Sequence, residues 1–287
     1  MPSPAPKKYG KQRLSHRRKW TNQGFAWRRK RFGRPMVGVA EGDSWFDYSP
    51  AWFEYPRKGD LLAHLMQVHG GRRYNIYRVS KAGDTLDNMA YGTGKKPTPL
   101  EQTLKAIRKK DAKYFLFSAG GNDVAGPELE ALLNHHDSGL PPLKPKAVKE
   151  LFKVTIPRGF EHVIDAVHTA RPGLPVFLHG YGYTKPTGKA VVNFPGGFKF
   201  IGPWLLPFLK KKGWHQVNTQ AQVIRDLIDG LNTSLSDLAA ARPDVHFIDL
   251  RPTLRQTDWI NELHLNQTGW AKVTRKFDQA MRPVLGL

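Results

Sequence analysis

The chain has 287 residues, 40% of them hydrophobic, which is enough for one large α/β domain or two small ones around a sizeable core. It contains no cysteine, which excludes disulfides, thiolate metal sites and cysteine nucleophiles, and no run of eighteen apolar residues of the kind that crosses a membrane. The 45 Lys and Arg against 24 Asp and Glu give a net charge of +21, and residues 1–34 hold twelve of those bases and no acid.

That basic start, "KKYGKQRLSHRRKWTNQGFAWRRKRFGR", has no apolar segment behind its charges, so it reads as neither a secretory nor a twin-arginine signal. Its prolines and clustered charges make a poor amphipathic transit helix, and the expected location is cytoplasmic. Tyr9, Trp20, Phe25, Trp27 and Phe32 alternate with the bases, a composition suited to neutralising phosphates and stacking on nucleobases. It equally suits a solvated tail, and both readings stay open for residues 1–34 as a flexible arm ahead of a domain at 35–287.

From Pro35 onward, short apolar runs alternate with longer helical patterns. "PMVGVA" (35–40), "YNIYRVS" (74–80), "YFLFSAG" (114–120), "PVFLHG" (175–180) and "VHFIDL" (245–250) read as five buried strands. Helices are expected at 51–69, 99–110, 147–170, 217–241 and 267–281, with Pro157 splitting the third into two. In the fourth, Val217, Ala221, Ile224, Ile228, Leu231, Leu235 and Leu238 form one apolar face. Strands alternating with helices imply a parallel sheet covered on both sides, with ligands outside the carboxyl ends of its strands. A Gly/Pro/aromatic insertion at 181–203 follows the fourth strand and is long enough to form a binding loop.

The strand ends carry polar groups in a particular order. Gly42-Asp43-Ser44 follows the first strand, "SKAGDT" with Gly83 the second, "AGGND" with Asn122 the third, and "NELHLN" with His264 comes after the fifth. A serine needs a base to take its proton, and a tetrahedral oxyanion needs two or three convergent donors. Ser44 and His264 meet the first requirement; the amides of Ser44 and Gly83 and the side chain of Asn122 meet the second.

The four blocks "GDSW", "KAGDT", "GGND" and "NELHLN", in that order, resemble the SGNH (GDSL-type) hydrolase family over about residues 36–287. The resemblance implies a flavodoxin-like three-layer α/β/α sandwich with a five-stranded parallel sheet. It also implies metal-free hydrolysis of an ester or acylated small substrate without a cofactor. By the same resemblance Ser44 is the nucleophile, His264 the base, and Ser44, Gly83 and Asn122 form the oxyanion hole. One position departs from the pattern: three residues before the histidine, where the family usually has Asp, stands Asn261. An Asn-for-Asp exchange in the serine-protease triad costs about 10⁴ in kcat by favouring the wrong tautomer. Glu262 is one residue out of phase to replace it, and Asp258 would need a loop that doubles back. The expectation is a Ser–His pair oriented by Asn261 or by a backbone carbonyl.

Taken singly, these residues have plainer readings. Ser44 is a good helix N-cap, Asn122 a turn-former, and Gly83 a tight turn. Trp45, Phe46, Trp52 and Phe53 suit core packing, with Trp45 also a candidate for the pocket wall beside Tyr181 and Tyr183. His135-His136-Asp137 resembles a metal cluster only superficially, and "GTGKKPT" (92–98) does not align with a phosphate loop. A second function stays open: an SGNH-fold protein with weak catalysis that binds nucleic acid or another polyanion through its arm, motivated by the arm and Asn261.

Overall fold

The structure, a computed structural model, describes residues 24–33, 35–48, 59–93, 96–193, 199–200 and 202–287. Five strands, β1 (Met36–Gly42), β2 (Tyr74–Arg78), β3 (Tyr114–Ser118), β4 (Val176–His179) and β7 (Val245–Ile248), form one parallel sheet in the order β2-β1-β3-β4-β7. They coincide with the five apolar runs, because strands buried on both faces have continuous apolar sequence rather than alternation. The short β5 (Val192–Asn193) and β6 (Lys199–Phe200) pair antiparallel inside the 181–203 insertion.

Helices cover both faces: α1 (24–31), α2 (Leu61–Leu65), α3 (Leu86–Tyr91), α4 (Pro99–Lys110), α5 (Pro127–Leu132), α6 (Pro145–Glu150), α7 (Ile156–Ala170), α8 (Leu206–Lys211), α9 (Val217–Ala240) and α10 (Gln267–Leu285). The boundary of α4 is fixed by a capping box, in which Thr98 accepts from the Glu101 amide while Glu101 accepts from the Thr98 amide. The split expected at Pro157 takes another form. A π-helical turn, Leu151–Thr155, joins α6 to α7 without a break, and Pro157, which has no amide hydrogen, follows directly after that turn. Of the helix expected at 51–69, the described residues show α2 and a 3₁₀ turn at Val68–Gly71; residues 49–58, with Trp52 and Phe53, lie outside the described residues. Val217, assigned to the apolar face of α9, is 71% exposed because it opens the helix ahead of the first turn that meets the core.

The chain runs from β1 outward to β2 and then returns to place β3 on the other side of β1, so the strand order reverses beside β1. The crevice at that reversal, on the carboxyl edge, is where open α/β sheets bind ligands. Arg78, buried at the end of β2, braces this edge. Its guanidinium pairs with Asp60 at 2.7 and 3.0 Å and donates to the Phe46 carbonyl, two residues beyond Ser44.

Residues 1–23 of the basic start lie outside the described residues, but its last part packs on the body. In α1, Phe25 is buried edge-on against Tyr77, Arg28 donates to Asn75 at 3.0 Å, and Asn75 donates back to the Phe25 carbonyl.

Candidate active site

The hydrogen-bond ladder continues past the ends of the strands. Lys81 donates its amide to the Gly42 carbonyl at 2.8 Å and Asp43 donates to the Ser118 carbonyl at 3.1 Å. The turns that follow β2, β1 and β3 therefore leave the sheet side by side, carrying Gly83, Ser44 and Asn122. Gly83 has φ +78°, a left-handed conformation that costs a side-chain-bearing residue free energy. Gly121 lacks a Cβ for a different reason: one would stand 2.7 Å from the Tyr181 ring.

Ser44 does not cap a helix. Residues 44–46 form a turn, and the cap of α2 is Asp60. The turn is held by Asp43, whose buried carboxylate accepts from the Trp45 amide (2.9 Å), Ser118 Oγ (2.9 Å) and the Tyr181 hydroxyl (2.5 Å). Burial pushes the Asp43 carboxyl up to about 6, against the opposing pull of the bonds from Tyr181, Trp45 and Ser118. Sequence reasoning passed over Asp43 as part of a motif; its three partners come from β3, the 181–203 insertion and the turn itself.

His264 enters from the loop before α10. Its Nε2 lies 2.8 Å from Ser44 Oγ, and its Nδ1 lies 3.1 Å from Asn261 Oδ1. The same Oδ1 accepts the backbone amides of Leu263 (3.0 Å) and His264 (2.9 Å), while Asn261 Nδ2 donates to the Tyr48 hydroxyl at 3.3 Å. Two backbone N–H groups require an acceptor at that atom, so the amide cannot turn its nitrogen toward the ring. An acceptor facing Nδ1 fixes the proton on Nδ1 and leaves the Nε2 lone pair facing Ser44. Tyr48 stacks on the imidazole with ring centroids 3.9 Å apart, and Trp204 meets it edge-on. Burial, with no carboxylate to offset it, pushes the His264 imidazole down to about 3. The sequence carried no signal for Tyr48 or Trp204 as neighbours of the histidine.

The two nearby carboxylates are committed elsewhere. Glu262, fully buried, accepts the amides of Gly188, Trp204, Leu205 and Leu206 at 2.7–3.1 Å and so clips the insertion to the histidine loop. Asp258 pairs with Lys272 at 2.7 Å.

Asn122 donates one Nδ2 hydrogen to the Asp84 carbonyl at 2.7 Å, which fixes the amide and leaves its second hydrogen available. Ser44 and Asn122 line a cleft together with Ile224, Leu227, Ile228 and Leu231 of α9. Trp45 and Tyr181 line it, as do Gly182 and Thr184 of the insertion. Tyr183 is not among the lining residues. It donates to Asp229 at 2.7 Å and lies under the Arg225 guanidinium, so its assignment to the pocket wall is corrected. Among the described residues no group of three or more His, Asp or Glu is arranged to hold a metal ion, and His135 and His136 are exposed beside Asp137.

The family model of the GDSL-like lipase/acylhydrolases matches residues 40–272, a span that runs from the end of β1 through the His264 loop. The chain belongs to that family. It is a hydrolase with the SGNH fold, and ester hydrolysis is the activity its family supports. Among solved structures it is similar to an extracellular lipase from Streptomyces rimosus (16% identity, TM-score 0.53, covering 85% of this chain and 99% of that one). It is also similar to an aryl esterase from M. smegmatis (12%, 0.53, 86% and 99%) and a carbohydrate acetylesterase from Sinorhizobium meliloti (11%, 0.52, 87% and 99%). At these identities the likeness is one of fold. No curated protein matches the sequence. Among the described residues, no helix is long and apolar enough to cross a membrane.

Proposed function

We propose that this GDSL-like hydrolase cleaves esters through a covalent intermediate on Ser44. Ser44 Oγ attacks the ester carbonyl carbon as its proton passes to His264 Nε2. The C–O π electrons move onto oxygen, and that oxyanion takes hydrogen bonds from the amides of Ser44 and Gly83 and the free Nδ2 hydrogen of Asn122. Collapse expels the alcohol, which takes the proton from His264, and leaves an acyl-Ser44 ester. Water then attacks with His264 again as base. Asn261 acts as a positioning residue, holding the Nδ1–H tautomer without supplying a charge. The α9 side of the cleft is apolar, so the acyl part of the substrate is an apolar group.

The observation that carries this reading is the 2.8 Å contact between Ser44 Oγ and His264 Nε2, with Nδ1 on the fixed oxygen of Asn261. Treatment with a fluorophosphonate and peptide mass spectrometry tests it: the expected adduct is on Ser44 and absent from His264→Ala. The neutral Asn261 favours a second reading, a weak catalyst kept for binding. Absence of both the adduct and turnover of short p-nitrophenyl esters would decide for it.

A further inference from the structure

At the opposite end of the sheet from Ser44 lies a second concavity, a groove of about 1000 Å³ on the amino edge. It is bounded by the start of β1 (Met36, Val37), the residues entering β2 and β3 (Arg72, Arg73, Lys113), the end of α4 (Lys110, Asp111) and Arg29 of α1. The seven residues of β1 separate it from the catalytic turn, about 20 Å at 3.3 Å per residue.

Five Lys and Arg line this groove against one side-chain carboxylate. Arg73 is committed to Asp278 at 2.8 Å, and Lys113 shares Asp111 with Arg171. Among the described residues no carboxylate pairs with Arg29, Arg72 or Lys110. Lys110 is held instead over the rings of Phe25 (5.3 Å) and Tyr77 (4.7 Å), which orient its ammonium without neutralising it. The carboxyl end of α4 favours a cation at Lys110 through the helix dipole, but that does not account for Arg29 and Arg72, which come from other elements. Like charges gathered around a concavity repel one another, and a bound polyanion relieves that repulsion.

α1 walls the groove through Arg29 and also carries Trp27, 58% exposed and edge-on to Phe32, whose ring packs beside Gly71 next to Arg72. An exposed indole on a basic helix is the pairing used to stack unpaired bases while cations hold the phosphates. A lipid surface fits less well, because a bilayer against the amino edge would hold the cleft at Ser44 on the far side of the molecule. We propose that this groove, with α1, is a binding site for single-stranded nucleic acid. Arg29, Arg72 and Lys110 contact the phosphates and Trp27 stacks on a base.

The test is fluorescence anisotropy with a labelled oligo-dT or oligo-U of about twenty nucleotides, long enough for one such site, on the full chain and on Arg29→Gln/Arg72→Gln/Lys110→Gln. The full chain is expected to bind. The triple variant is expected to lose tenfold or more in affinity near 0.1 M salt, and its log K against log[salt] slope to flatten by about 2, the value for three lost single-strand phosphate contacts. Trp27→Ala is expected to weaken binding about fivefold or more. Unchanged thermal melting and unchanged hydrolysis of a p-nitrophenyl ester show that fold and cleft are intact in both variants. Equal affinity and slope in the triple variant would place the binding outside the groove. Binding to phosphatidylglycerol vesicles or heparin at the same strength as to oligonucleotide, insensitive to Trp27→Ala, would show a different or unspecific polyanion. Either result overturns the proposal.

Discussion

The two sides of Ser44 are built from opposite electrostatics. On the strand side a carboxylate, Asp43, is buried under three hydrogen-bond donors; on the histidine side, where a triad would carry its charge, the group behind the imidazole is the neutral Asn261. The carboxylate therefore fixes the shape of the turn, and the amide fixes the tautomer of the ring. Geometry and charge, which a Ser–His–Asp triad obtains from one residue, are separated here. The ring is aimed at Ser44 yet burial pushes its pKa down to about 3, so in the proposed mechanism it takes the serine proton with less driving force than an acid-backed histidine.

Breaking the shared element of both sides should have the largest effect. Ser44→Ala and His264→Ala are each expected to lower kcat by about four orders of magnitude or more, with the melting temperature little changed. A loss of only a few fold would mean that the reaction does not pass through this pair. Next in size is Asn122→Ala, which removes a proposed oxyanion donor that neither side supplies. The expected loss is about 10²–10³ in kcat with KM nearly constant, and a change confined to KM would place Asn122 in ground-state binding instead.

Asp43→Asn sharpens the contrast through stability. Burial holds the Asp43 carboxyl near 6 when folded, above the ~3.9 of an ordinary aspartate, so the folded state binds more protons between these pH values. Its favourable contribution is complete below about 4 and is lost as pH rises through about 6. Relative to the parent, Asp43→Asn should therefore become more stable from pH 4 to pH 7, by up to about 3 kcal/mol for a shift of this size. Chemical denaturation at the two pH values measures it; a difference that is flat or of opposite sign would mean that Asp43 is ionised in the fold throughout.

Much of this was legible in the sequence, for physical reasons. Buried parallel strands are continuously apolar, so "YFLFSAG" and "PVFLHG" marked β3 and β4, and the helix expected at 99–110 coincides with α4. Of the proposed site residues, Ser44, Gly83 and Asn122 were singled out because each lies within a few residues of a strand end, whereas His264 lies in the loop between β7 and α10. What stayed hidden depends on side-chain direction and long-range partners. Glu262, adjacent to Asn261, points into the amides of the insertion, and Tyr183, two residues from Tyr181, points to Asp229 and away from the cleft. Residues two apart in an extended chain share a face, so the spacing of the two tyrosines suggested one common wall; the chain past His179 has no regular strand structure, and that rule does not carry over. The basic start was read as one arm because its charge is uniform. Phe25 and Arg28 nevertheless attach its last part to β2, through an Asn75 partner some fifty residues away.

The separation of aim from charge is tested most directly by the pH dependence of kcat/KM in the parent and in Asn261→Asp. Asp43, near 6, and Asp123, pushed up to about 7 by burial, titrate in both proteins, so the difference between the two profiles isolates His264. In Asn261→Asp the carboxylate is expected to raise the imidazole pKa toward or above its ordinary ~6.5, adding a His264 acid limb there that the parent lacks. The plateau above that limb is expected to rise about tenfold or more, since the exchange restores the charge without disturbing the tautomer. Superimposable profiles, or a lower plateau in Asn261→Asp, would contradict that separation.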